Sequence, residues 1–247
     1  MTSGRFGGKR VVAPLRTAVV RNRLLSMLAP DDFDHLAPRL ERVPLALKAI
    51  VIAARQPISH VLFPESGIVS TVANTDDGRI EIGITGREGF VGVPVALGVD
   101  STPHTSLVQG EGEALRIGVA DLRASLAARP GLFRPLGLYA HTLMVQLAQT
   151  AYANATLTIE ARLARWLVMT QDRTDGDELV LTHEFLSVML GVPRPGVTLA
   201  TQSLESMGAI RATRGRMEVL DRTMLKDIAG KAYRVAEDEY DRVMLKI

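Results

Sequence analysis

The sequence predicts an α+β chain in three parts: a domain of short strands, one long helix, and a small domain of helices with a hairpin. Three observations predict it. Between Leu45 and Ile117 apolar residues recur with period two, in short runs broken by turn residues. From about Phe133 to Ala155 they recur at alternating steps of four and three. Beyond Thr158 short helical periods are punctuated by glycine and proline.

The first 30 residues carry Arg5, Lys9, Arg10, Arg16, Arg21 and Arg23 and no acid. Residues 1–23 read as a flexible basic tail or as a basic arm that touches DNA. Leu24 to Leu40 reads as short helices. Leu24, Leu25 and Leu28 share a face, and Pro30-Asp31-Asp32 is a helix start. In the strand region Ile80, Ile82 and Ile84 are expected to point one way, and Glu81, Gly83 and Thr85 the other. Asp76-Asp77-Gly78 marks a hairpin and Pro64-Glu65-Ser66-Gly67 a second turn. Strands at such spacing suggest a sandwich or barrel.

A short helix from Val119 to about Ala128 is broken by Arg129-Pro130-Gly131. On the long helix that follows, Leu136, Ala140, Leu143, Leu147, Thr150 and Asn154 form a heptad seam. The seam reads either as packing on the helix's own domain or as a dimer coiled coil, with Asn154 a polar register-setting position. Ile159, Leu163, Trp166 and Leu167 then form an apolar stripe that ends at Thr174-Asp175-Gly176-Asp177.

The segment from His183 to Gln202 carries the most information. Thr182 is a helix N-cap. Leu186, Met189 and Leu190 give that helix a buried face. Gly191 supplies the left-handed residue that ends it. Pro195 suits the first turn of the next helix, whose expected buried face is Val197, Ala200, Leu204 and Met207. Two helices joined by so short a turn cross closely. Ser187, Gly191 and Val197 provide the small residue, the turn and the anchor of a helix-turn-helix. Ala209 to Leu220 reads as two strands around Gly215, a wing with Arg211, Arg214 and Arg216 placed to meet phosphates. On the second helix Arg194, Thr198, Thr201 and Gln202 are the expected base readers, because arginine pairs with guanine and glutamine with adenine. Thr182 and His183 join them as candidate contacts. From Arg194 to Arg234 there are eight basic and four acidic residues, although net charge over the chain is only +2.

With these parts in order the chain resembles the Crp/Fnr family of bacterial transcription regulators. The resemblance rests on Arg162-Leu-Ala-Arg-Trp-Leu167, Leu181-Thr-His-Glu-Phe-Leu186, Met189-Leu-Gly-Val192 and Gly208-Ala-Ile210. In the strand domain it rests on Phe63-Pro-Glu-Ser-Gly-Ile-Val69 and Gly86-Arg-Glu-Gly-Phe-Val-Gly92. It implies a double-stranded β-helix of jelly-roll, cyclic-nucleotide-binding-like type over 24–131, and a dimerisation helix and hinge over 132–157. A winged helix-turn-helix over 158–232 and a C-terminal helix over 233–247 complete the chain. It implies a homodimer on a palindromic operator in double-stranded DNA, gated through the sensor, with RNA polymerase as a further partner. Two departures stand out. Val93 falls where cyclic-AMP-binding members carry a glutamate, and His104 falls near their arginine, so cyclic AMP is not the expected effector. Arg87, Glu88, Val93, His104 and Thr105 remain candidates for an effector pocket. On the recognition helix Arg194-Pro-Gly-Val-Thr-Leu199 stands in place of Arg-Glu-Thr-Val-Ser-Arg, which implies a different operator.

Composition narrows the rest. The chain has 247 residues, 47% of them hydrophobic, and no cysteine. Disulfides, thiolate metal sites, cysteine-held iron–sulfur clusters and a cysteine nucleophile are excluded. No apolar run approaches the roughly 18 residues that cross a bilayer, and no secretory leader is read. The expectation is a cytoplasmic regulator, not an enzyme, with no catalytic residue, metal or cofactor. The competing readings are a cyclic-nucleotide-binding module acting on a protein partner and a cupin-like enzyme, which would want clustered histidine and carboxylate ligands.

Overall fold

The computed structural model describes residues 20–75 and 78–245. The chain enters through α1 (Arg23–Ser26) and α2 (Pro30–Leu36), the latter with proline in its first turn, where a missing N–H costs nothing. Residues 20–23, expected with the tail, belong to the folded domain. Val20 and Asn22 are buried. The Asn22 amide donates to the Pro64 and Gly89 carbonyls, and its oxygen caps α1. The rest of the expected tail and the hairpin residues Asp76 and Asp77 lie outside the described residues.

Seven strands follow: β1 (Glu41–Leu45), β2 (Ile50–Ile52), β3 (His60–Pro64), β4 (Ile68–Thr75), β5 (Gly78–Thr85), β6 (Thr105–Gly110) and β7 (Gly112–Gly118). They form two antiparallel sheets, ordered β1-β7-β3 and β2-β6-β4-β5. A short helix, α3 (Val93–Ala96), links β5 to β6. Phe63, Phe90 and Leu115 fill the interior, with Phe90 against both Phe63 and Tyr139. The expected alternation on β5 is corrected by a bulge. Ser70 pairs with Ile84 and Val72 with Glu81, with a register shift between them. Ser70 and Val72 share a face, so Ile84 and Glu81 share it too, and the extra residue is Ile82.

After α4 (Val119–Ala128) and a single 3₁₀ turn, α5 (Phe133–Thr156) runs 24 residues, about 36 Å at 1.5 Å per residue. Leu157 is extended and Thr158 caps α6 (Ile159–Gln171), so two residues join the helices. The C-terminal domain adds β8 (Glu178–Val180), α7 (His183–Leu190), α8 (Arg194–Ser206), β9 (Ile210–Thr213), β10 (Arg216–Val219) and α9 (Arg222–Ala229). Its sheet is ordered β8-β10-β9. The last helix, α10 (Lys231–Met244), begins two residues before its expected start and packs back along α5. Its Met244 is buried in the core of the strand domain.

The two cores are not split between the two domains. Ile68, Val72 and Ile84 of the strand domain are buried with Leu163, Leu167, Leu186, Val197 and Leu204 of the C-terminal domain. One face of the β4–β5 hairpin therefore serves as a floor for the C-terminal domain.

Candidate nucleic-acid interface and its junction with the strand domain

The helix-turn-helix is built by local chemistry. The Thr182 hydroxyl accepts from the Phe185 N–H at 3.1 Å and fixes the start of α7. Gly191 ends it at φ +60°, and the Val192 N–H donates to the Ser187 carbonyl. Arg162 on α6 donates to the Leu190 carbonyl and satisfies the helix end a second way. α8 then starts with Pro195 in its first turn. Val197, Ala200, Thr201 and Leu204 form its buried face.

Two expectations on α8 are corrected. Thr201 is only 2% exposed and its hydroxyl has no partner, so it faces the core and reads no base. Steps of three and four from Val197 put 200, 201 and 204 on one stripe. Met207, expected in that stripe, is the C-cap and is exposed. What remains on the outward face is Arg194, Leu199 and Gln202, with Thr198 half-buried beside them. Leu199 is 67% exposed, an apolar group of the kind that meets a thymine methyl. Thr198 and His183 are held together, with His183 Nδ1 3.1 Å from the Thr198 hydroxyl.

The wing forms as expected. Arg211 and Arg216 are both engaged on it: Arg211 pairs with Glu218 at 2.8 Å, and Arg216 pairs with Glu178 on β8. Arg214 at the tip makes no ion pair among the described residues. Exposed pairs of this kind are weak and exchange for phosphate at little cost.

The expected effector residues do not form one site. Val93 opens α3 and packs on the strand-domain core. Thr105 is buried on β6, where its hydroxyl accepts from Asn74. His104 has a buried Nδ1 without a partner. Arg87 and Glu88 lie elsewhere, at the junction with the C-terminal domain. Glu88 meets Arg173 at 2.7 Å with both side chains buried. Arg87 shares Asp175 with Arg21, at 2.8 and 2.7 Å. Glu88, Glu237 and Asp172 hold the Arg173 guanidinium above its ordinary pKa, against burial, which alone would lower it.

Sequence reasoning missed most of this junction. Trp166 Nε1 donates to Glu81 at 2.8 Å. Burial pushes the Glu81 carboxyl up from 4.5 to about 7, although hydrogen bonds from Ser70 and Trp166 pull it down. Gln146 on α5 bonds both backbone groups of Ile84, at 2.8 and 3.1 Å. Glu81 carried a signal, a carboxylate amid isoleucines, whereas Arg173 and Gln146 carried none. Under α10 a polar cavity of about 210 Å³ is lined by Glu88, Tyr139, Asp172, Arg173, Glu237 and Tyr240, among others. Burial raises the Glu237 carboxyl to about 7.

The heptad seam on α5, read from sequence either as packing on the helix's own domain or as a dimer coiled coil, packs for most of its length within the chain. Leu136 and Ala140 are buried within the chain. Leu143 and Leu147 lie over Gly83 of β5, and Thr150 accepts from Arg165. Only Asn154 of the six is exposed. One residue further round, Met144, Ala148, Ala151 and Ala155 are exposed at the same alternating steps, while His141 before them is paired with Glu239 of α10 at 2.6 Å. Among the described residues no helix is long and apolar enough to cross a membrane.

Residues 161–228 match the Crp-like helix-turn-helix domain. No curated protein sequence matches the chain. Solved structures do. A CRP-family transcriptional regulator from Thermus thermophilus aligns with a TM-score of 0.65 at 20% identity, over 78% of this chain and 98% of its own. FixK2 from Bradyrhizobium japonicum aligns at 0.67 and 13% identity, over 77% and 98%. The c-di-GMP responsive global regulator CLP of Xanthomonas campestris aligns at 0.63 and 18%, over 77% and 99%. The chain thus carries a Crp-like helix-turn-helix domain over residues 161–228, and it shares its overall fold, a strand domain, a long helix and that domain in this order, with solved regulators of the Crp/Fnr type.

Proposed function

We propose that this chain is a homodimeric, sequence-specific DNA-binding transcription regulator of the cytoplasm, gated through its strand domain by a signal other than cyclic AMP. The observation that carries the reading is the outward strip Arg194, Thr198, Leu199 and Gln202 on α8, followed directly by a wing whose tip, Arg214, makes no ion pair among the described residues. Arginine and glutamine at the start and middle of such a helix address guanine and adenine. Leu199 adds an apolar contact where a second arginine would otherwise bring a phosphate or guanine.

The homodimer is assigned to the exposed stripe on α5 from Met144 to Ala155, where three alanines let two helices approach closely. Val93 packs half-buried against the core and brings no carboxylate to a ribose, which supports an effector other than cyclic AMP. Promoter output, up or down, would follow from where the dimer sits relative to RNA polymerase.

Selection of bound duplexes from a random pool tests the reading. The expected result is a palindrome with half-sites about one helical turn apart, roughly 34 Å. Recovery of no enriched sequence, with affinity set by salt alone, would refute base reading.

A further inference from the structure

The last helix, α10, is stitched into both cores. Tyr233 near its start is buried with the core of the C-terminal domain, and Met244 at its end with that of the strand domain. Gly230 alone joins it to α9, at φ +59°, a conformation that L side chains rarely adopt. Arg165 of α6 donates to the Ala232 carbonyl, and the Tyr240 hydroxyl to the Glu88 carbonyl, each at 2.9 Å. α10 is thus a strap, hinged at one glycine, that ties the C-terminal domain down along α5.

Tyr233, Glu237, Tyr240 and Met244 recur at steps of four, three and four, which places a carboxyl on the inward face of the strap. Glu237 makes no ion pair among the described residues, and its Oε2 is buried without a hydrogen bond. The cations that face it from α6 and just beyond are already engaged. Arg173 meets Glu88 and the Met169 carbonyl, both at 2.7 Å. Arg165 is held by the Ala232 carbonyl and, at 3.3 Å, by the Thr150 hydroxyl of α5. Asp172 brings a like charge from the end of α6, tempered by its pair with Arg222 of α9. Arg23 of α1, Arg87, Tyr139 of α5 and Asp241 line the same polar cavity as Glu237. Arg87 is taken by Asp175. A carboxylate so placed is short of partners in its ionised form and less so when protonated.

We propose that α10 is a proton-controlled strap, docked on α5 and α6 while Glu237 is protonated and loosened about Gly230 when Glu237 ionises. Burial sets the direction, raising this carboxyl from 4.5 to about 7. The docked helix holds a proton that a released helix gives up between about 4.5 and 7. Docking therefore weakens as pH rises through that window and stays weaker above it. His141 of α5 adds a contact of the same sign, 2.6 Å from Glu239, but this pair lies at the surface and is worth little. A loosened strap leaves the C-terminal domain held mainly by the β4–β5 floor, and so freer to turn at Leu157 and Thr158. Any consequence for DNA rests on the DNA-reading function proposed above; the release itself does not.

The test uses the full chain without DNA, so a failure of the strap and a failure of DNA reading are separate results. Hydrogen exchange is followed by mass spectrometry at pH 5.5 and pH 8, with rates corrected for intrinsic exchange. Amides of α10 are expected to open about tenfold or more often at pH 8, while those of α6 change less. Glu237→Gln keeps the size of the side chain and cannot ionise, and should hold α10 equally at both pH values. His141→Gln should leave most of the pH difference in place. Glu81→Gln removes the other raised carboxyl and should leave the difference unchanged. Equal protection of α10 at both pH values in the unmodified chain, or a difference undiminished in Glu237→Gln, would overturn the proposal. So would its loss in His141→Gln, or opening of α10 and α6 together.

Discussion

The indole nitrogen of Trp166 donates a 2.8 Å hydrogen bond to one carboxyl oxygen of Glu81. The other oxygen accepts from Ser70 at 2.5 Å. A buried acid on an edge strand is thus satisfied in part by a helix of the other domain. Ser70 also meets Gln109 Oε1, yet a hydroxyl has one proton. A protonated Glu81, donating to Ser70, lets that proton serve Gln109.

The raised Glu81 pKa makes stability depend on pH. The folded state holds a proton that the unfolded state has released between about 4.5 and 7. Stability from this group therefore falls as pH rises through that window and stays low above it. Glu81→Gln keeps an acceptor for Trp166 and cannot ionise. It should stabilise the protein by up to about 3 kcal/mol near pH 8 and by little near pH 4.5. Urea denaturation at both pH values measures the difference. An equal effect at both would rule out the ionisation as its cause.

Gly191 serves the turn and the junction together. Its φ is +60°, and a β-carbon there would stand 2.5 Å from the Ile80 Cδ1. Gly191→Ala should cost about 1–3 kcal/mol, from backbone strain plus the contact. The companion change Ile80→Ala should relieve the contact part and leave the strain. Additive losses in the double variant would show that the two residues do not meet.

Arg194 and Thr201 separate the two faces of α8. Arg194→Ala should weaken specific DNA binding by about 1–3 kcal/mol at fixed salt. Thr201→Val should leave affinity unchanged and should not lower stability, since its buried hydroxyl has no partner. Fluorescence anisotropy on the selected operator measures both. A large loss of affinity in Thr201→Val would place that side chain on DNA after all.

The absence of cysteine from the chain makes α5 easy to probe with one introduced thiol. Met144 is 65% exposed, whereas Leu147 lies over Gly83. Met144→Cys should form a disulfide-linked dimer under mild oxidation, and Leu147→Cys should not. The reverse pattern on a non-reducing gel would restore the seam expected from sequence.

Much of the architecture was legible because it is written in local signals. Thr182 and Gly191 announce their roles through capping chemistry, and Pro130 breaks a helix wherever it packs. The long helix was bounded to within a residue by the same logic. What periodicity left open was which neighbour a face meets. On α5 the apolar stripe was genuine, but the chain's own β5 covers much of it, and periodicity does not say which neighbour buries a leucine. Thr201 failed for a related reason: a small polar residue fits an inward position as easily as an outward one. The bulge at Ile82 turned a clean alternation over, and nothing in three isoleucines marks it. The junction ion pairs join residues some 85 positions apart, such as Arg173 and Glu88, and no spacing rule reaches that far.

The two-residue link at Leu157 and Thr158 is a pivot and not a tether. Both neighbours of the link are helices, and the shared core and α10 along α5 hold the domain beyond it a second time, so any turn of that domain is about this point, takes place only if those contacts give way, and cannot carry it away. In a dimer held along α5 the two pivots would keep a fixed separation. The pair would then work as a caliper with a narrow gauge, and a half-site moved by a few base pairs would lie out of its reach.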